Sequence, residues 1–586
     1  MIRIRSRFFR FLLLTAALAA AVAILVGATL PPRRIALPPA TDGTIAGVLH
    51  IHTNRSDGLS GPDEIAAAAA KAGRQFIVFT DHGDATRKPD PPTYRSGVLC
   101  LDGVEISTTG GHYVAIDMPA APYPLGGEPR DVVEDVHRLG GFGIAAHPNS
   151  PKLELRWREW TAPFDAIEIV NPDTGWRRWA DQAGDKLKPR SERWVAARRL
   201  ASAVIDYPFR PAETVAELLD SSRDIPFRWA ALAQRRRVVM LGGADAHAKL
   251  ALRNTDPGES IFALPIPGYE AAFKVVSVRV RLDHPFTGTA AADAAELMHA
   301  IRSGHLHTAI DGVASPPSLE FTATNASGTA SEGDELRVGG PVTLRVRTNA
   351  PSGFTTTVFD GAKAVSGDHH EPDFTVSMPD RPAAYWVAIS STGRRQDLAW
   401  LTSNAIYVRG GEPLTREPSR PPAKRSQSIF DGTSTASWRV EHDPTSAAEL
   451  DTTENVGGND LRFRFSLSDQ IAPAPFAALA FDTPAGIPQA TRLSFTMRAE
   501  SPMRVSVQLR APIQGAESER WQRSVYVSTS DEERTVYFDE LTPAGPTRTF
   551  RPPLAEVRSV LFVIDPVNTK RLTAGRFWIK KAAIQQ

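Results

Sequence analysis

Between residues 44 and 312 short apolar runs alternate with helix-like stretches, and this alternation restricts the fold of the 586-residue chain more than any other feature. Residues 47–51 read as a strand. Residues 62–71 read as an Ala-rich helix, with Pro62 in its first turn, Asp63 and Glu64 at its positive end and Gly73 as its stop. Residues 76–79 and 98–101 are apolar strands. Residues 131–139 read as a helix closed by Gly140 and Gly141, and 142–146, 166–170 and 238–241 as further strands. Strands alternating with helices predict a mainly parallel α/β sheet, open or closed into a barrel.

The pattern changes near Ser315. Residues 316–409 give strands without long helices and predict an immunoglobulin-like β-sandwich. Residues 410–427 are a Pro/Arg/Ser-rich linker, and 428–586 a second β domain whose alternation resembles a galactose-binding-like jelly roll. The whole reads as a multidomain α/β plus all-β chain.

Lys plus Arg (67) cancels Asp plus Glu (66), so nothing global attracts nucleic acid. The one cysteine, Cys100, lies in an apolar run and offers neither a disulfide framework nor a thiolate metal cage. Arg3, Arg5, Arg7 and Arg10 precede an uncharged run over 11–30 that Pro31 and Pro32 end. Twenty such residues match the thickness of a bilayer core, and the basic flank would stay cytoplasmic. Residues 1–31 are therefore expected to export the chain and anchor it in the cytoplasmic membrane with the rest outside, or to be cleaved as a signal that leaves it secreted.

The polar residues at the strand ends share one character. His50-Ile51-His52 closes the first strand, with Asp57 just beyond. Then come Asp81-His82, Glu105, His112, His147 and, after the strand at 238–241, Asp245-Ala246-His247. That edge of a parallel α/β fold is where sites are built. Imidazoles and carboxylates suit zinc, manganese or iron, and a carboxylate such as Glu105 can bridge two ions. Six histidines with Asp57, Glu105 and Asp245 suit three divalent ions, leaving a formal charge of about +3 that attracts anionic oxygens. Asn54, Arg55, Asn149, Asn171 and Lys249 flank these motifs as candidate substrate contacts. Asp245 or His247 is the candidate proton donor for a leaving group.

In this order the motifs Leu49-His50-Ile51-His52-Thr53, Ser56-Asp57-Gly58, Thr80-Asp81-His82, Glu105, His147-Pro148 and Asp245-Ala246-His247 resemble those of the polymerase-and-histidinol-phosphatase (PHP) superfamily. Residues 44–315 would be that domain. The layout is similar to the carbaryl-hydrolase-like branch. The resemblance implies a distorted (β/α)7 barrel with a trinuclear metal centre. His50, His52, Glu105 and Asp245 would hold one ion. Glu105 would bridge to a second on His112 and His147, and Asp57, His82 and His247 would hold the third. The expected activity is metal-dependent hydrolysis of a small or lipid-linked phosphoester by a metal-activated hydroxide, with Glu105, Asp245 and His247 central. Two alternatives stand beside it: hydrolysis of a carboxylic or carbamic ester or an amide, and a surface glycan-binding protein using Trp438, Trp521 and Trp578 of the last domain. Every expected ligand precedes residue 248, so the chemistry is expected to be separable from the last domain.

Overall fold

A computed structural model describes residues 29–219, 224–251, 263–391, 398–410, 420–455, 458–513 and 516–586, with residues 15, 20 and 27. The architecture is mixed α/β followed by β-sheets. The elements that position the site are β1 (Ile45–Ile51), α1 (Pro62–Lys71), β2 (Phe76–Phe79), β3 (Val98–Asp102), β4 (Val104–Thr108), β5 (Gly111–Ile116), α2 (Pro129–Arg138), β6 (Phe142–Ala145), β7 (Ala166–Val170), α3 (Pro172–Gly184) and β8 (Val239–Gly242). β9 (Ser277–Val280) and β10 (Leu306–Ala309) follow.

β1, β2 and β3 pair in parallel, as do β6, β7 and β8. The pattern is not parallel throughout. Only Thr109 and Gly110 separate β4 from β5, and so short a link permits only an antiparallel hairpin. β5 then pairs antiparallel with β6, and β9 antiparallel with both β1 and β10. Two isolated parallel bridges join the two sheets at their C-terminal ends, His82 to Glu105 and Ile51 to Ala246. The pairing thus runs in a circuit through β1, β2, β4, β5, β6, β7 and β8. Its interior packs Leu49, Val78, Val114, Ile144, Ala166 and Leu241.

β10 continues the sheet into the following β region, pairing antiparallel with Ala399–Ser403 in the register His307–Ser403, Thr308–Thr402 and Ala309–Leu401. The strands at 335–337, 354–360, 363–364, 383–391, 399–403 and 406–409 therefore lie in the same 12-stranded sheet as β1–β3. A separate four-stranded sheet covers them. The buried Asn404 side chain locks the junction: it accepts from the Met240 N–H and donates to the carbonyls of Met240 and Leu306.

Beyond residue 426 two six-stranded sheets enclose a core of Phe463, Phe495, Phe562, Phe577 and Trp521. The strand Ser426–Phe430, at the end of the expected linker, pairs with the C-terminal strand Ala574–Gln585. This unit docks on α2. Arg504, 1% exposed, inserts between Asp131, Glu134 and Asp135, and Ser524 Oγ donates to Asp131 Oδ2 at 2.5 Å.

The expected membrane anchor requires correction. Among the described residues no helix is long and apolar enough to cross a membrane. The longest, Arg190–Asp206, has 17 residues and carries four arginines, so it lacks both the length and the apolarity of a span. The run at 11–30 lies largely outside the described residues.

Candidate metal centre

The circuit gathers the polar strand ends at one edge. β1 carries an irregularity in register between Val48 and Ile51, and His50 there adopts φ 64°. Such a bulge re-aims side chains. It brings His50 and His52 to the same place, their rings 5.3 Å apart. His82 follows β2, Glu105 lies on β4 and His112 on β5. His147 follows β6, and Asp245 and His247 follow β8. Asp81 is occupied otherwise: its carboxylate accepts from Thr53 N, Thr53 Oγ1 and Ser56 Oγ and so fixes the loop leading to Asp57.

Glu105, 1% exposed, is the hub. Oε1 lies 2.8 Å from His112 Nδ1 and 2.9 Å from His147 Nε2. Oε2 lies 3.3 Å from His50 Nε2, 3.2 Å from His52 Nε2 and 3.2 Å from His82 Nδ1. Asp245 Oδ1 is 3.5 Å from His50 Nε2 and 3.3 Å from His52 Nε2. Asp57 lies 3.3 Å from both His52 Nδ1 and His247 Nε2.

Four overlapping groups could hold a metal ion: His52, Asp57, His82 and His247; His50, His52 and Asp245; His50, Glu105 and His147; and His82, Glu105 and His112. Within each group the donor atoms all lie within 4.8 Å of one another. His50 Nε2, His52 Nε2 and His82 Nδ1 are buried without a hydrogen-bond partner, although carboxylate oxygens stand 3.2–3.5 Å away. Close but misaligned nitrogens and oxygens are lone pairs converging on shared points. That is the donor arrangement divalent ions fit.

The outer nitrogens are held. His50 Nδ1 contacts Glu168 Oε1 at 2.5 Å, His147 Nδ1 the Leu155 carbonyl at 3.0 Å, and His247 Nδ1 the Asp245 carbonyl at 3.0 Å. A carbonyl or carboxylate on one ring nitrogen puts the proton there and turns the other nitrogen inward as a bare donor. The buried carboxylates favour the charged form of His50 and His52. Burial works against charge on His50, yet Glu168, Asp245 and Glu105 keep its pKa well above the ordinary value. Burial likewise opposes charge on His52, but Asp245 and Glu105 push it up to about 10. Burial would raise Glu105, but His50, His112 and His147 draw it well down. Burial would also raise Asp245, and His50, His52 and His247 lower it. His82 is lowered, chiefly by burial.

The expected substrate contacts fall at varied places. Asn171 is 5% exposed; its Oδ1 caps α3 by accepting from Thr174 N, and its Nδ2 donates to Glu168 and Asp245. Asn149 accepts from Arg178 through both its carbonyl and its side chain. Arg55 pairs with Asp90. Asn54 is exposed and Lys249 half-buried. Two residues the motifs did not single out stand at the centre. Glu168 is a lone carboxylate inside the apolar run of β7. Arg177, on α3, is paired with Asp173 and feels Asp245 and Asp57. The signal for the first was an acid where core side chains surround it. For the second it was the four-residue spacing from Asp173 on a helix capped by Asn171.

Of the three tryptophans in the last domain, Trp438 and Trp521 are buried in its core. Their indoles donate to the carbonyls of Ile429 and Thr549. Trp578 is half-buried between Arg498 and Arg576.

The chain is 31% identical over 140 residues to the uncharacterized protein MJ1587 of Methanocaldococcus jannaschii, a match spanning 21% of this chain and 80% of that protein. The chain belongs to the family of that archaeal protein. No family model matches. Among solved structures it is similar to a two-domain protein containing a predicted PHP-like metal-dependent phosphoesterase from Bacteroides vulgatus. That likeness is at 14% identity over 64% of this chain and 99% of the other, with a TM-score of 0.28. It is also similar to a family 11 carbohydrate-binding module from Clostridium thermocellum, at 12% identity over 27% and 94%, with a TM-score of 0.24. Superpositions this loose say nothing of function.

Proposed function

We propose that the chain is a metal-dependent hydrolase of phosphoric esters, built on a distorted (β/α)7 barrel of the PHP type and binding three divalent ions. One observation carries the reading: five imidazole nitrogens stand within 3.3 Å of the single buried carboxylate of Glu105. Such a carboxylate suits a bridge between ions rather than a structural ion pair. His50, His52, Asp245 and Glu105 would hold one ion, Glu105 with His112 and His147 a second, and Asp57, His82 and His247 the third. When bound, such ions supply a water acidified enough to attack at neutral pH and positive charge opposite the oxygens of the electrophile.

The protein's part is to aim and shield that chemistry. The side chains of His50, His52, Glu105 and His147 are at most 3% exposed, whereas those of His82, Asp57 and His247 are 31%, 21% and 15% exposed. Substrate would therefore approach across the third group. His247 stands on that side with its Nδ1 fixed by the Asp245 carbonyl, which turns Nε2 toward Asp57. Residues 44–315 would carry this chemistry, 316–409 would brace it, and 428–586 would cover one flank.

Carboxylic and carbamic esters remain the second reading, because two cations beside the centre are already paired, Arg177 with Asp173 and Arg55 with Asp90. In each pair the carboxylate already offsets the guanidinium charge that would otherwise draw a phosphate dianion. The deciding experiment is turnover of aryl phosphate mono- and diesters against aryl carboxylic and carbamate esters by the zinc- or manganese-loaded protein. Faster hydrolysis of the carbonyl esters would overturn the phosphoesterase reading, and no turnover of any of them would overturn the hydrolase itself.

A further inference from the structure

Three residues of the centre hold a backbone conformation that L-residues rarely adopt: His50 at φ 64°, His147 at φ 28° and Asp245 at φ 48°. Such positions persist only where surrounding bonds over-determine them. The three lie on different strand ends, and one side chain reaches the first two directly and the third through a single intermediary, Asn171. Glu168, 2% exposed on β7, places Oε1 2.5 Å from His50 Nδ1. Its Oε2 accepts the backbone N–H of His147 at 2.8 Å and Asn171 Nδ2 at 3.2 Å. That same Asn171 nitrogen reaches Asp245 Oδ2 at 3.3 Å.

The chain also leaves room for this carboxylate. A Cβ on Gly243, two residues before Asp245, would come 1.9 Å from Glu168 Oε1. The φ of Gly243 is not a positive one that would itself demand glycine, so the space for Glu168 accounts for the missing side chain.

We propose that Glu168 is the positioning residue of the centre: it fixes the His50 tautomer and holds His50 and His147 directly, and Asp245 through Asn171, in their strained places. The role rests on the metal-centre reading above. Its logic is that of donors and acceptors. Three N–H groups converge on Glu168, and only a carboxylate accepts from all three. An amide in the same space must turn its NH2 toward one of them. Facing His50, the NH2 would donate to Nδ1 and drive the ring proton onto Nε2, the nitrogen that points at Glu105 and Asp245. Facing the other way, it would oppose the N–H of His147. Either choice removes or misplaces an inward donor.

The test compares the full-length wild-type protein with Glu168→Gln by zinc content and by zinc affinity in competition with a chromogenic chelator. Thermal unfolding of the metal-free forms serves as the folding check. The expected result is a folded Glu168→Gln protein whose zinc affinity at one or more sites falls about 10–100-fold, the usual effect of losing a partner behind a ligand. Zinc content and affinity equal to wild type would overturn the role of Glu168 while leaving the metal centre standing. A wild-type protein that binds no zinc would overturn the centre and this role with it. Should Glu168→Gln not fold, nitrogen-15 NMR of histidine-labelled, zinc-loaded wild type decides. A His50 ring proton on Nδ1 supports the proposal, and one on Nε2 overturns it.

Discussion

The guanidinium Nε of Arg504 lies 2.7 Å from Asp135 Oδ2, with both side chains 1% exposed, and this pair joins two parts of the chain 369 residues apart. Asp131 stands beside it, 3.5 Å from Arg504 Nη1. Replacing Arg504 with Met leaves Asp135 to Arg138 and Asp131 to Arg523, 4.0 Å away, so the loss should stay below the about 3–5 kcal/mol of a buried charge stripped of its only partner. Urea denaturation of Arg504→Met should show an earlier transition, or two where wild type has one. An unchanged midpoint would mean that docking on α2 does not depend on this contact. The same two carboxylates lose Arg504 in a chain cut near Ser426, so such a chain should be less stable around α2 than the full one.

Glu105→Gln should retain the fold but lose at least one metal equivalent and most turnover, since an amide bridges ions poorly and Oε1 and Oε2 serve different histidines. Elemental analysis of the purified variant gives the answer. Full metal content would show that Glu105 is no ligand.

Metal loading should release protons. In the ion-free protein His52 titrates at about 10, raised by Asp245 and Glu105 against the opposing effect of burial, so at neutral pH the ring is charged and the incoming ion must displace a proton. Affinity should therefore rise with pH across the range below 10. Calorimetric titration with zinc in buffers of different ionisation enthalpy measures the proton count. Heats independent of buffer would contradict it.

Acid should weaken the opposite end of the circuit first at Asp311. Burial would raise this carboxyl, but Arg74, Arg279 and the hydroxyls of Ser277 and Ser315 lower it from 3.8 to about 2. Its folded pKa lies below the unfolded one. The stabilisation is thus complete above 3.8 and disappears as pH falls through about 2, and it is worth about 2 kcal/mol. Urea midpoints taken from pH 5 downward should fall more steeply for wild type than for Asp311→Asn. Parallel slopes would rule the contribution out.

Much of the centre was legible because its residues interrupt a simple pattern. His50, His52, His82, His147, Asp245 and His247 each end an apolar strand where a core side chain would otherwise sit, and the order of strands alone brings such ends together. Glu168 escaped notice because a single acid within Ala-Ile-Glu-Ile-Val reads as the solvent face of a strand. Only the non-local pairing of β7 between β6 and β8 buries it. Arg504 was hidden likewise by the alternation of its strand, whose outward face looks exposed until α2 covers it. The pair His305 and His307 resembles the first histidine pair in sequence yet faces elsewhere: His305 contacts Asp334 and His307 contacts Glu332. Spacing cannot tell such pairs apart, because it says which side a residue faces but not what stands there.

The register that sets His307 opposite Ser403 has a consequence for the nascent chain. The last expected metal ligand leaves the ribosome long before the strand that covers β10 does. At about 5–20 residues per second, the stretch from Ala309 to Ser403 takes roughly 5–20 s to emerge. Throughout that interval β10 presents a row of unpaired amides and carbonyls, the kind of open edge on which a neighbouring chain can template itself. Synthesis thus makes the ligands early and closes the sheet late, so substitutions in the strand at 399–403 should show themselves in the yield of soluble protein before they show in catalysis.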